Sequence, residues 1–268
     1  MKGRVLVIAG SDSGGGAGIQ ADIKAITALG GFAMTALTAL TAQDTLGVHD
    51  IVPVAPGFIR RQIDCVWDDL GTDAVKTGML GDIATIRTVR DALRARPTVP
   101  FVLDPVMVAK GGASLLDSAA IGVLRSELLP MASLLTPNAP EAALLAGLPL
   151  DHVGQMEAVG RRLFALGAGA VLLKGGHLPG DVLTDLLFTA DGIEEFTAPR
   201  IATRHTHGTG CTLASAIACG LAQGLALPAA IARARSYLQR AIAAAPGYGS
   251  GAGPLDHAVT TRCDPLVG

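Results

Sequence analysis

Short apolar runs alternate with helix-spaced stretches along nearly all of this 268-residue chain, and that alternation restricts the fold more than any single motif. Residues 4–9, 32–40, 73–76, 101–103, 133–135 and 170–173 are short and apolar, and most give way to Gly, Asp or Thr; they read as strands. Between them, residues 17–29, 57–70, 82–96, 118–128, 156–166, 208–223 and 229–245 carry helical spacing, as Ile19, Ile23 and Ile26 do in the first. Strands linked by helices in this way build an α/β fold with a largely parallel central sheet. Two segments depart from the rule. Residues 48–54 read as a strand in a flap beside the sheet, and residues 182–188 and 192–196 as an antiparallel hairpin turning at Asp191–Gly192.

A hydrophobic content of 50% supplies a core for both sheet faces. No repeat or linker interrupts the chain, so residues 1–268 are expected to form one domain with a tail that is irregular after about residue 258. The net charge is -2, and the five lysines and sixteen arginines are scattered, so no nucleic-acid partner is expected. Cys65, Cys211, Cys219 and Cys263 show no C-x-x-C spacing, which argues against a disulfide framework or zinc site and for a reducing, cytoplasmic setting. The apolar start stops at Gly10, too early for a signal peptide. No run is long enough to span a bilayer, so no membrane role is expected.

The chemistry gathers at residues 203–211, Thr-Arg-His-Thr-His-Gly-Thr-Gly-Cys, directly ahead of a helix-forming run. Gly208 and Gly210 allow close backbone approach, and a helix opening near Thr209 aims N–H groups and a positive dipole end at its occupant, for which a phosphate is the natural choice. A tight turn into a buried helix is the alternative. Cys211 falls in the first turn, where the dipole can lower a thiol pKa. A second glycine-rich loop, residues 10–18, can be laid on the dinucleotide pattern at Gly16, Gly18 and Ala21, but no acidic residue follows at the required distance; a P-loop is absent. Ligands of open parallel sheets bind at the carboxyl ends of strands, where Gln43, Asp104 and Lys174 fall. Lys174 is followed by two glycines; a solvated surface lysine is the alternative reading. Asn138 and Glu141 open a helix and are otherwise simple caps. Asp12 reads as bonding its own loop, and His205 with His207 lacks a third ligand for a metal.

Several stretches form a set in order from about Arg4 to His257: residues 9–22 (Ala-Gly-Ser-Asp-Ser-Gly-Gly-Gly-Ala-Gly-Ile-Gln-Ala-Asp), 40–43 (Leu-Thr-Ala-Gln), 76–80 (Lys-Thr-Gly-Met-Leu), 103–107 (Leu-Asp-Pro-Val-Met), Thr136–Pro137–Asn138 with Glu141, 173–177 (Leu-Lys-Gly-Gly-His) and 207–211. The set resembles the hydroxymethylpyrimidine/phosphomethylpyrimidine kinases of thiamin biosynthesis, in the ribokinase-like superfamily. The resemblance implies a three-layer α/β/α ribokinase-like fold with a small strand flap, ATP and Mg²⁺ as co-substrate and metal, a small-molecule pyrimidine acceptor and a homodimer. It assigns Asn138, Lys174, Thr206, Gly208, Thr209 and Gly210 to the nucleotide. Asp104 and Glu141 suit a Mg²⁺, which takes few carboxylates. Asp22, Gln43, Met79 and Val106 fall to the pyrimidine pocket, where a primary amide matches an aminopyrimidine edge and a methionine can lie against a ring, plain core packing being the other reading of Met79. Catalysis falls to Cys211 with Lys174, Gly208 and Gly210.

Superfamily relatives usually carry Asp at the position of Cys211. A neutral thiol there would not repel an anionic monophosphate returning as the second acceptor. Asp44 stands where the family usually has Asn, which adds negative charge near the expected pocket, and His205 stands where Asn often occurs. Residues 106–116 form a loop that could close over substrate. The alternatives are a pyridoxal kinase on the same scaffold, or a non-catalytic sensor of the pyrimidine phosphate.

Overall fold

β1 (Arg4–Asp12) displays how the layers are built: Leu6 and Ile8 enter one core, and Val5, Val7 and Ala9 enter another on the opposite face. This computed structural model describes residues 2–107, 116 and 118–261. The other strands are β2 (Phe32–Gln43), β3 (Val48–Pro53), β4 (Ala74–Thr77), β5 (Phe101–Leu103), β6 (Leu134–Leu135), β7 (Val171–Lys174), β8 (Val182–Thr189) and β9 (Gly192–Pro199). They form one sheet in the order β3-β2-β1-β4-β5-β6-β7-β8-β9. The six from β2 to β7 are parallel; β3 and the β8–β9 hairpin are antiparallel edges. The expected hairpin and flap strand are both present.

The helices, in chain order, are α1 (Gly18–Ala28), α2 (Pro56–Asp69), α3 (Ile83–Arg94), α4 (Ser118–Val123), α5 (Ala139–Ala146), α6 (Met156–Phe164), α7 (Thr209–Ala222) and α8 (Leu227–Ala243). Buried residues of α1, α7 and α8 pack on the Val5 face, and those of α2 to α6 on the Leu6 face, which makes the three layers. Among the described residues no helix is long and apolar enough to cross a membrane.

Three departures from the sequence reading have local causes. β2 continues through the polar Thr41, Ala42 and Gln43 because β3 pairs with it as far as Gln43↔Val48, and backbone pairing does not require apolar side chains. The helix expected over 118–128 is α-helical only to Val123; a π-helical turn (Leu124–Leu128) and a 3₁₀ turn (Leu129–Met131) follow, and Pro130, which has no N–H to continue the longer ladder, stands in the first turn of the 3₁₀ piece. The final stretch is irregular but held. His207 bridges to Pro254, and Ala252 N–H donates to Thr45 O at 2.9 Å, so the tail joins the flap turn to the loop ahead of α7. Of the loop expected over 106–116, residues 108–115 lie outside the described residues, as does Cys263.

Candidate active site

Strand order reverses between β1 and β4, since the chain leaves β1 toward β2 and returns on its other side. Such a switch point opens a crevice beyond the carboxyl ends of the two strands. Here Ala9 and Gly10 near the end of β1, and Gly78 and Met79 after β4, line a cavity of about 900 Å³. Twelve residues singled out from the sequence share its wall: Gln43, Met79, Asp104, Val106, Asn138, Glu141, Lys174, Thr206, Gly208, Thr209, Gly210 and Cys211.

Asp22 does not. It is wholly buried in α1, where its carboxylate binds Lys76 Nζ at 2.9 and 3.0 Å and accepts from Ser215 Oγ at 2.6 Å. A carboxylate facing the sheet from the interior side of a helix needs a charged partner more than a ligand, and β4 supplies one. Lys76 is equally inaccessible; burial opposes its charge, but Asp22, with Cys211 and Asp104 also favouring protonation, outweighs it and raises its pKa. Ser215 lies one helical turn beyond Cys211, so the ion pair sits under the α7 face that carries the thiol.

α7 begins at Gly208, whose φ is 80°, and no side chain caps its N-terminus. An alanine methyl at Gly208 would stand 1.8 Å from Gly16 O, so this turn packs directly on the first glycine-rich loop. At Gly210 a methyl would meet Lys174 Nζ at 3.5 Å and Asp104 Oδ2 at 3.8 Å. The uncapped helix end, a lysine and a carboxylate therefore converge on one small space. This donor set fits a polyphosphate with a divalent cation: N–H groups and an ammonium for the anion, carboxylates for the metal.

Lys174 ends β7 and reaches Asp104, after β5, at 3.4 Å. Its turn is held from behind, because Asp185 Oδ1 accepts from Gly175 N–H at 2.9 Å while the carboxylate also pairs with Arg235 of α8. Arg235 lies over the Phe196 ring at 5.8 Å and lines the cavity. Neither Asp185 nor Arg235 was visible as functional in the sequence, where they occupy ordinary strand and helix positions. Asn138 and Glu141 form a reciprocal capping box at 2.9 and 2.8 Å, so the cap reading holds for both while both still face the cavity. Burial, with Asp104 nearby, pushes the Glu141 carboxyl up to about 7 against the opposing Lys174. Among the described residues no three potential ligands cluster for a metal, and Mg²⁺ completes its shell with water and phosphate oxygen.

Cys211 corrects an expectation. Burial pushes its thiol up to about 12, with Lys76 opposing and Asp22 and Asp104 adding to the rise, so desolvation outweighs the helix end. The thiol is neutral at physiological pH, and it can bond an acceptor oxygen without adding charge. Asp12 does bond its own loop, accepting from Gly14, Gly16 and Ala17 N–H, but it also binds His207 Nε2 at 2.9 Å. Burial opposes its ionisation, and His207 with the Ala17 and Gly14 N–H groups outweighs burial and holds the carboxyl below its ordinary range. The two loops on either side of the cavity are thus tied together.

Residues 12–256 match the model of the phosphomethylpyrimidine kinase family. This chain belongs to the phosphomethylpyrimidine kinase family. Among its relatives, the thiamine biosynthesis bifunctional protein ThiED of Geobacter sulfurreducens is 51% identical over 96% of this chain, which spans 52% of that longer protein. The hydroxymethylpyrimidine/phosphomethylpyrimidine kinase of Streptomyces coelicolor is 48% identical over 94% of this chain and 93% of its own. Among solved structures, an ADP complex of Bacillus subtilis pyridoxal kinase superposes with a TM-score of 0.90 at 34% identity, covering 97% of this chain and 98% of that one. The three-layer architecture is therefore the ribokinase-like fold of these kinases.

Proposed function

We propose that this chain uses ATP to phosphorylate 4-amino-5-hydroxymethyl-2-methylpyrimidine and then its monophosphate, as a cytoplasmic enzyme of thiamin biosynthesis. The observation that carries the reading is the meeting of two half-sites in one cavity: the Lys174–Asp104–Gly210 space suited to polyphosphate, and the Gln43–Met79–Val106 wall suited to a small polar ring. Transfer between them needs positioning and charge neutralisation more than covalent chemistry. Lys174 and the first N–H groups of α7 bind and orient the phosphates, with Asn138, Thr206 and Thr209 beside them. Asp104 and Glu141 would hold Mg²⁺, which when bound neutralises phosphate charge. Cys211 orients the acceptor oxygen as a neutral thiol, so neither acceptor, alcohol or monophosphate, meets a fixed anion there. The apolar residues Leu46, Val52 and Phe58, exposed on and beside the flap, are consistent with the homodimer proposed on family grounds, which light scattering would test.

The similarity in shape to a pyridoxal kinase favours a second reading, phosphorylation of a hydroxymethyl pyridine on the same machinery. One experiment separates the two. The protein is incubated with Mg-ATP and, separately, hydroxymethylpyrimidine, its monophosphate and pyridoxal, with products resolved by mass spectrometry. Pyrophosphate formed from the monophosphate is the expected result. Pyridoxal phosphate alone would replace the substrate, and binding without turnover of any acceptor would make the chain a sensor.

A further inference from the structure

Gln43 closes β2 at the cavity wall, and its amide is gripped from both sides. One end stands 3.3 Å from Thr41 Oγ1 and the other 3.1 Å from His207 Nε2. The neighbours decide which end is oxygen, because the two ends of a primary amide have nearly the same shape. Thr41 spends its one proton on Ser11 O at 2.8 Å, so toward Gln43 its hydroxyl accepts. His207 Nε2 faces Asp12 Oδ2, an oxygen that already accepts from Gly16 and Ala17 N–H; a carboxylate so placed only accepts, and Nε2 must carry the proton. With Gln43 Nε2 toward His207, two donors would meet head to head. A half-turn of the amide removes that clash: Nε2 donates to Thr41 Oγ1, and Oε1 shares the single His207 Nε2–H with Asp12 Oδ2 in a three-centre bond.

The imidazole has little freedom to leave. A methyl on Gly16 would touch its Cδ2 at 2.6 Å, and the backbone N–H of His207 donates to Gly253 O at 3.1 Å. We propose that His207, anchored by Asp12, and Thr41 lock the Gln43 amide so that its inner edge, one carbonyl lone pair beside one N–H, selects a ring carrying an amino group next to a ring nitrogen. The inference rests on the pyrimidine reading above and names the two residues that set which way the Gln43 amide faces within it. Such a ring offers a donor beside an acceptor and pairs with the locked edge twice; a ring without the amino group pairs once and forgoes the bond to the half-buried carbonyl. His207 and Thr41 are positioning residues, since they act through Gln43.

The test measures kcat/KM for 4-amino-5-hydroxymethyl-2-methylpyrimidine and its 4-deamino analogue. Wild type is expected to prefer the amino ring by about tenfold or more. His207→Phe is expected to reduce that preference by about tenfold, through KM for the amino ring, while KM for ATP moves less than about twofold. His207→Gln, which keeps an N–H donor, is expected to recover part of it. Thr41→Val removes the other grip and is expected to act in the same direction, which keeps the test alive if His207→Phe does not fold. Equal losses on both rings, or a preference unchanged in both variants, would overturn the locking role. A wild type that neither binds nor phosphorylates either ring by calorimetry and turnover would overturn the functional reading, and this one with it.

Discussion

An alanine methyl at Gly208 would stand 1.8 Å from a backbone oxygen at a φ of 80°, whereas at Gly210 it finds ordinary contact distances to Lys174 Nζ and Asp104 Oδ2. The same substitution should therefore fail in two different ways. Gly208→Ala is expected to destabilise the protein by more than about 2 kcal/mol in urea unfolding, because neither backbone can yield without cost. Gly210→Ala is expected to leave stability within about 1 kcal/mol, alanine being the better helix former, while kcat/KM falls by about a hundredfold as the methyl enters the anion space. Cys211 carries the second prediction at this scale. Its thiol is neutral, so Cys211→Asp would introduce a charge where wild type has none. The variant is expected to retain alcohol phosphorylation and to lose about tenfold or more of the monophosphate step; equal effects on the two, measured as separate kcat/KM values, would sink that explanation. The sequence pulled both ways at Cys211: a helix start can lower a thiol pKa, while a neutral thiol suits an anionic second acceptor. The position at a helix start was legible, but the surroundings that raise the thiol pKa were not.

Between elements, the telling interaction is the Asp22–Lys76 pair joining α1 to β4 under α7. β4 alternates: Val75 faces the core shared with α2 and α3, and Lys76, opposite Val7 and Val102 in the register, faces the core of α1 and α7. A lysine thus occupies a position that the strand pattern reserves for an apolar side chain. Breaking a buried pair leaves one uncompensated charge, so Lys76→Met is expected to cost about 3–5 kcal/mol of unfolding free energy. Adding Asp22→Asn to it should recover part of that loss, and a double-mutant cycle in urea measures the coupling. The sequence marked both residues inside family-like motifs and assigned Asp22 to the substrate. It could not show that α1 turns this carboxylate toward β4, because residues 54 positions apart meet only once the sheet has formed.

Across the whole molecule, the C-terminal segment closes the structure: His257, 6% exposed, bonds Thr212 Oγ1 of α7 through Nε2 at 2.9 Å, and its carbonyl accepts from Tyr237 of α8 at 2.8 Å. Burial, with Lys24 adding to it, pushes the imidazole down to about 4 from 6.5. Between those values the unfolded chain binds a proton that the folded one refuses, so stability rises with pH across this window and is lost as pH falls from 6.5 toward 4. The loss attributable to His257 amounts to about 3 kcal/mol at its limit. His257→Gln is expected to flatten the difference in urea stability between pH 7 and pH 4.5; an unchanged pH dependence would mean the imidazole is solvated. Most of the fold followed from the sequence alone, because apolar runs and helical spacing report burial and period directly: the parallel strands, the flap strand and most of the helices fall where the pattern puts them, while the β8–β9 hairpin turns at Ala190–Asp191, one residue earlier than expected, with Thr189 paired to Gly192. Composition bounded the class, and the glycines around Gly208 with Lys174 and Asp104 marked the strand-end chemistry. Tertiary structure alone decided that Asp22 pairs with Lys76, that Asp12 reaches His207 across 195 positions to tie two loops, and that the Cys211 thiol stays neutral. Those outcomes depend on which side chains exclude water together, and burial of that kind is a property of the packed layers, which no local stretch of chain contains.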